Sequence, residues 1–147
     1  MKIGFASDHR GYERKEELKK NFEEFDIVDF GTFSSEIVDY PTYAIKLAEG
    51  VANKEVDLGI ILCGTGIGVS IACNKVKGIR CAKIDNINEA KSAKEHNNAN
   101  ILAFSALHTK EEIIIMINEF LNSELNDDPR YIRRIKMVEK YEESNEY

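Results

Sequence analysis

The chain has 147 residues, 43% of them apolar and 31% charged, with a net charge of −6. That length suits one domain spanning residues 1–147, and such a balance describes a globular protein able to bury a core. The acidic excess argues against a nucleic-acid partner, and no apolar run reaches the roughly 18 residues a membrane helix needs.

Read from the start, residues 2–7 form a short apolar strand that stops at Asp8-His9-Arg10-Gly11. A charged start without a long apolar stretch is not a secretory leader, and Cys63, Cys73 and Cys81 show no C-x-x-C spacing. A cytoplasmic protein with free thiols is expected. The pattern predicts a helix over 12–24, with Leu18, Phe22 and Phe25 on one face, then a strand over 26–30. Gly31 to Pro41 is irregular, with Asp39 placed to cap the helix that Pro41 begins. Ala44, Leu47, Ala48 and Val51 give that helix its buried stripe.

Residues 56–62 are almost uniformly apolar, as in a strand covered on both faces, and lead straight into Cys63-Gly64-Thr65-Gly66-Ile67-Gly68-Val69-Ser70. A helix to about Lys75, a strand at 80–84, a helix at 87–95, a strand at 100–104 and a helix at 110–121 come next. Residues 128–141 form a last helix started by Pro129. Alternating strands and helices imply a flavodoxin-like, Rossmann-like three-layer α/β fold with a five-stranded parallel sheet, in the order 2-1-3-4-5.

In such a sheet ligands bind beyond the carboxyl ends of strands one and three, where Asp8-His9-Arg10 and the Cys63 loop lie. Gly64, Gly66 and Gly68 let amides converge on an anion, a phosphate or a reaction oxyanion. The loop lacks the Lys-Ser/Thr of a P-loop and the spacing of a dinucleotide fingerprint. A thiol there is activated as base or nucleophile, the plain alternative for Cys63 being a small buried strand end. Asp8 either caps a helix or touches a ligand, and His9 is a loop side chain at the same end. His96 ends the fourth helix, where it is either a plain helix C-cap or, lying at the sheet edge opposite Cys63, a group that could join this site only from a second subunit. Arg130 and Arg134 share a helix face and either grip a phosphate or remain solvated.

Ser7 to Gly11, Gly31-Thr32, Asp39-Tyr40-Pro41, Cys63 to Ser70, Asn74-Lys75, Gly78-Ile79-Arg80 and His96-Asn97 together make the chain resemble the ribose-5-phosphate isomerase B family, with the galactose-6-phosphate isomerase subunits. The resemblance spans nearly the whole chain. It implies an aldose–ketose isomerase of carbohydrate metabolism that interconverts ribose 5-phosphate and ribulose 5-phosphate without metal or organic cofactor. By that resemblance Cys63 is the proton-transferring base, and the amides from Gly64 through Thr65, Gly66 and Ile67 to Gly68 hold the oxyanion. His96 opens the sugar ring, Thr65 and Asp8 handle hydroxyl protons, and Asn97 binds sugar hydroxyls. His9, Arg130 and Arg134 take the phosphate, and Tyr43 walls the pocket. A homodimer with shared sites, in some members a tetramer, is implied too. One departure stands out: where many members have an arginine after the fifth strand, this chain reads Ser105-Ala106-Leu107-His108, so that contact is absent or replaced by His108.

A six-carbon phosphate such as allose 6-phosphate or galactose 6-phosphate is the nearest alternative substrate. A non-enzymatic phosphate-binding or signalling domain is the alternative of another class. A receiver domain needs an acidic residue ending strand three and a lysine ending strand five, where this chain has Cys63 and Ser105.

Overall fold

The computed structural model describes residues 1–147. In chain order the elements are β1 (Lys2–Ser7), α1 (Tyr12–Lys19), β2 (Asp26–Asp29), α2 (Tyr40–Ala52), β3 (Leu58–Cys63) and α3 (Ile67–Cys73), followed by β4 (Cys81–Lys83), α4 (Ile87–Glu95), β5 (Ile101–Ser105), α5 (Lys110–Leu121) and α6 (Pro129–Ser144). All strand pairs are parallel. The three-layer α/β class is as expected, but the order is β2-β1-β3-β5-β4, not 2-1-3-4-5.

The exchange of the last two strands has its cause in burial. All five residues of β5, Ile-Leu-Ala-Phe-Ser, are buried, whereas the three residues of β4, which include Lys83, are only half-buried. A strand apolar on both faces belongs inside a doubly covered sheet, and a short strand carrying a lysine belongs at its edge. The exchange leaves β1 beside β3, so the switch point predicted to hold the site is preserved.

Alternate residues of each strand face opposite layers. Phe5, Ile60, Leu62, Leu102 and Phe104 meet Leu18 and Phe22 at α1, Ala90 and Ala93 of α4, and Ile113, Ile117 and Phe120 of α5. On the other face Ala6, Ile61, Cys63, Ile101 and Ala103 meet Ala44, Leu47, Ala48 and Val51 of α2 with Val69 and Cys73 of α3. Cys63 therefore ends its strand pointing to the α2–α3 side.

Two helix ends differ from expectation. α1 stops at Lys19 rather than near Glu24, and tight turns carry the chain on so that Phe22 is still buried. α3 stops at Cys73 because the Asn74 side chain turns to β4, accepting from the Cys81 N–H at 2.8 Å and donating to the Cys81 carbonyl at 2.9 Å. Asp39 occupies the N-cap of α2, without a side-chain capping bond.

Helix α6 has no buried residue and leaves Ile132, Met137, Val138 and Tyr141 exposed. It is tied to the body by an Arg80–Glu139 ion pair at 3.3 Å and by the Gly78 N–H donating to Glu142 at 2.9 Å. Its Tyr131 ring also stacks on His96 with centroids 4.6 Å apart. No helix is long and apolar enough to cross a membrane.

Candidate active site

At the carboxyl ends of β1 and β3 lies a cavity of about 290 Å³, lined by Asp8, His9, Arg10, Val38, Asp39, Tyr40, Cys63, Gly64, Thr65 and Gly68. Strand geometry brings the two loops together. The pairing of Ser7 with Leu62 sets Asp8 beside Cys63, and the Asp8 N–H extends the ladder to the Leu62 carbonyl at 3.2 Å.

Asp8 is only 6% exposed. Its Oδ1 accepts from the Arg10 and Gly11 amides at 2.9 and 3.0 Å, while Oδ2 has no protein donor. It closes the local turn and caps no helix, since Gly11 holds the N-cap of α1. The second oxygen is thus free for a hydroxyl in the cavity. His9 Nδ1 accepts from the Val38 N–H at 3.3 Å, which leaves the proton of a neutral ring on Nε2.

Cys63 is 5% exposed, and the Gly66 N–H donates to its Sγ at 3.0 Å. A charged sulfur accepts such a bond more strongly than a neutral one. Gly66 takes φ +78°, and a Cβ there would stand 2.9 Å from the Phe104 carbonyl carbon, so the turn needs glycine. The Ile67 N–H donates to Thr65 Oγ1 at 3.1 Å. Of the loop amides expected to receive an anion, those of Gly66 and Ile67 are therefore already engaged. Those of Gly64, Thr65 and Gly68 make no hydrogen bond within the chain.

Strand β5 supports the loop from behind, a contribution the sequence pattern did not reveal. Ser105 Oγ donates to the Gly64 carbonyl at 2.8 Å, and the Ala106 N–H donates to the Cys63 carbonyl at 2.9 Å. A short polar residue ending a buried strand opposite Cys63 was the available signal. Arg10, Asp39 and Tyr40 also line the cavity, although the sequence pattern assigns them no role in binding. Tyr40 forms the wall expected of Tyr43, whose half-buried ring instead covers Gly31.

The remaining candidates lie elsewhere in the single chain. His96 caps the C-terminus of α4, ahead of β5, while Cys63 pairs with Ser105 at the far end of that strand. Four residues of strand separate the two levels, about 13 Å along the sheet. Asn97 borders a different cavity, with Arg80 and Val138. Arg130 is drawn onto Asp128 by bonds of 2.7–3.1 Å, which hold the Asp128 carboxyl down at about 2. Arg134 is exposed on the same helix.

His108 does not replace an arginine at the cavity. Its ring reaches Glu112 at 2.8 Å and Asp85 at 3.2 Å. Burial opposes its charge, yet these two carboxylates outweigh burial and raise its pKa. No group of three or more His, Cys, Asp or Glu side chains is arranged to hold a metal ion.

Residues 3–138 match the ribose/galactose isomerase family. Ribose-5-phosphate isomerase B of Escherichia coli strain K12 is 38% identical over 144 residues, 97% of each chain. The structure of Clostridium thermocellum ribose-5-phosphate isomerase B superposes with a TM-score of 0.94 at 39% identity, over 99% of this chain and 100% of that one. The Mycoplasma genitalium ribose-5-phosphate isomerase B, solved with bound ribulose-5-phosphate, superposes with a TM-score of 0.90 at 36% identity, over 97% of each chain. With agreement end to end in sequence and in fold, the chain belongs to the ribose/galactose isomerase family, in its ribose-5-phosphate isomerase B branch.

Proposed function

We propose that this protein interconverts ribose 5-phosphate and ribulose 5-phosphate through a cis-enediolate, with Cys63 as the base. The observation that carries the reading is the thiol held by the Gly66 amide at 3.0 Å, at the wall of a cavity that also presents Asp8 and three unpaired amides. The thiolate takes the proton from C2 of the open-chain aldose, and that electron pair moves into the C1–C2 bond. The C1 carbonyl oxygen takes the charge, received by the amides of Gly64, Thr65 and Gly68. Return of the proton to C1, while the O2 proton is passed to O1, forms the C2 carbonyl and gives the ketose. The moves of hydroxyl protons are assigned to Thr65 Oγ1 and the free Asp8 oxygen, both at the wall of the cavity.

A single chain supplies only half of this machinery, so we take the working unit to be a homodimer in the cytoplasm. His96 and Asn97 lie at the amino end of the sheet, and the exposed apolar side of α6 runs beside them. A second copy docking that side against the Cys63 cavity would deliver His96 for ring opening, Asn97 for sugar hydroxyls, and Arg130 and Arg134 for the phosphate. Mixing inactive Cys63→Ala with inactive His96→Ala chains should then restore up to about a quarter of wild-type turnover, because random pairing makes half the dimers mixed with one intact site each. No recovery after demonstrated subunit exchange refutes the shared site.

The substrate is tested by steady-state kinetics on purified protein. The kcat/KM for ribose 5-phosphate should exceed those for allose 6-phosphate and galactose 6-phosphate by at least about tenfold, since added carbons must find room beside Tyr40 and Val38. A ratio favouring either hexose phosphate reverses the assignment. Absence of turnover on all three would leave a phosphate-binding domain.

A further inference from the structure

Of the six arginines in the chain, three are matched to carboxylates: Arg14 to Glu17, Arg80 to Glu139 and Arg130 to Asp128. Arg133 and Arg134 project from exposed α6. Arg10 remains, and it alone of the six lines the active-site cavity. Its side chain enters no hydrogen bond or ion pair within the chain, where the only polar contact of the residue is its own amide on Asp8.

The position of that side chain is built into the catalytic loop. A Cβ on Gly64 would stand 2.9 Å from Arg10 Cδ and 3.2 Å from Nη1, so the missing side chain at 64 is what lets the arginine lie across the loop. Its guanidinium is thereby held against a segment whose Gly64 and Thr65 amides are themselves unpaired. Arg10 also borders a smaller adjoining cavity of about 140 Å³, lined by Glu13, Arg14 and Glu17 of α1 and by Ala106, so it stands between α1 and the loop after β5. That loop offers no free cation: Leu107 is 88% exposed and uncharged, and His108 is spent on Asp85 and Glu112.

A sugar phosphate brings a charge of about −1.5 to −2 at neutral pH. The cavity wall already carries the carboxylates of Asp8 and Asp39, and Arg10 is its one permanent cation. A forked guanidinium with every donor unused is the side chain best suited to a phosphate in such a place. We infer that Arg10 holds the substrate's phosphate from within the same chain as Cys63, adding a permanent cation to His9 on this side of the site. The inference depends on the sugar-phosphate isomerase reading above and names the residue that anchors the substrate.

Arg10→Gln should raise KM for ribose 5-phosphate at least about tenfold while kcat stays within about threefold, and should weaken competitive inhibition by inorganic phosphate by a similar factor. Arg10→Lys should fall between the two proteins in both measures, since it keeps the charge but not the fork. The exposed side chain makes no contact that folding needs, so the variants should keep the wild-type melting temperature. Unchanged KM and unchanged phosphate inhibition in Arg10→Gln overturn the inference, as does a loss confined to kcat. If the wild-type protein turns over no ribose 5-phosphate, the isomerase reading fails by itself. Calorimetric titration of wild type and Arg10→Gln with inorganic phosphate then still decides whether Arg10 is an anion contact.

Discussion

Cys63→Ala is expected to lower kcat for ribose 5-phosphate by about 10³-fold or more, at the upper end of what a positioned proton-transfer group contributes. The side chain removed is small, and its one polar contact is the Gly66 N–H. The fold should lose only about 1 kcal/mol, typical of a small buried truncation. Substrate binding should survive, because the groups assigned to binding, Arg10, His9 and the amides of Gly64, Thr65 and Gly68, stay in place. Proton transfer makes a sharper assay than turnover. In deuterated water the wild-type enzyme should exchange the transferred hydrogen of the substrate, and the alanine variant should exchange it no faster than buffer. Near-normal kcat, or normal exchange, in a folded Cys63→Ala protein refutes the thiol as base. Cys63→Ser separates position from chemistry: a hydroxyl in the same place takes the same hydrogen bond but is a far weaker base, so it should fall close to the alanine variant.

Much of this candidate site is local in sequence, which is why the meeting of its two loops was legible. Cys63 ends an apolar run long enough for a buried strand, and the three glycines come directly after it, so strand, turn and anion-binding loop are all written in one segment. The helix starts at Pro41 and Pro129 were legible for the same reason. The hidden features depend on comparison across the chain. The order of β4 and β5 turns on which strand is the better buried, and a pattern of alternating elements does not weigh Cys81-Ala82-Lys83 against Ile101 to Ser105. Tyr40 and Tyr43 lie on one helix three residues apart, and only the folded chain, which sets the Tyr43 ring on Gly31 and the Tyr40 ring on Gly68, tells which of them meets the cavity. Arg10 was visible as a charge beside the switch point, but the room made for it by Gly64, a residue 54 positions later, is a tertiary fact.

Lys15 is the strongest case of a residue that pattern reading passes over. In Tyr12-Glu13-Arg14-Lys15-Glu16-Glu17-Leu18-Lys19 it reads as one more solvated charge, yet it is 0% exposed. It stands three residues before Leu18 and so shares the inward face of α1. Its Nζ donates to both oxygens of Asp29 and to the Thr32 carbonyl, all at 2.7 Å. The Asp29 carboxylate also takes the Lys19 ammonium and the Gly31 N–H. Gly31 and Thr32 in turn bond Ser7, the residue before Asp8, at 2.7 and 2.9 Å. A buried cation thus fixes the segment on which the Asp8 loop rests.

Lys15→Met keeps the length of the side chain and removes the charge, leaving Asp29 with one partly exposed lysine and one amide. The expected loss is about 3 kcal/mol, the lower end of the cost of deleting one partner of a buried pair. Chemical denaturation should report it as a lower midpoint at unchanged slope. Adding Asp29→Leu to Lys15→Met should recover part of the loss, because the stranded carboxylate and not the missing attraction carries most of the cost. The pH dependence has a defined sign. Burial works against the charge on Asp29, but its bonds to Lys15, Lys19 and Gly31 prevail and lower its pKa below the ordinary value of 3.8. Its contribution is therefore complete above that value and disappears as pH falls through the lower folded-state value. The gap in stability between wild type and Lys15→Met should accordingly be constant near neutrality and narrow only in acid. A gap that is small at pH 7, or that persists undiminished through acid unfolding, would show that the buried lysine is not what holds this segment.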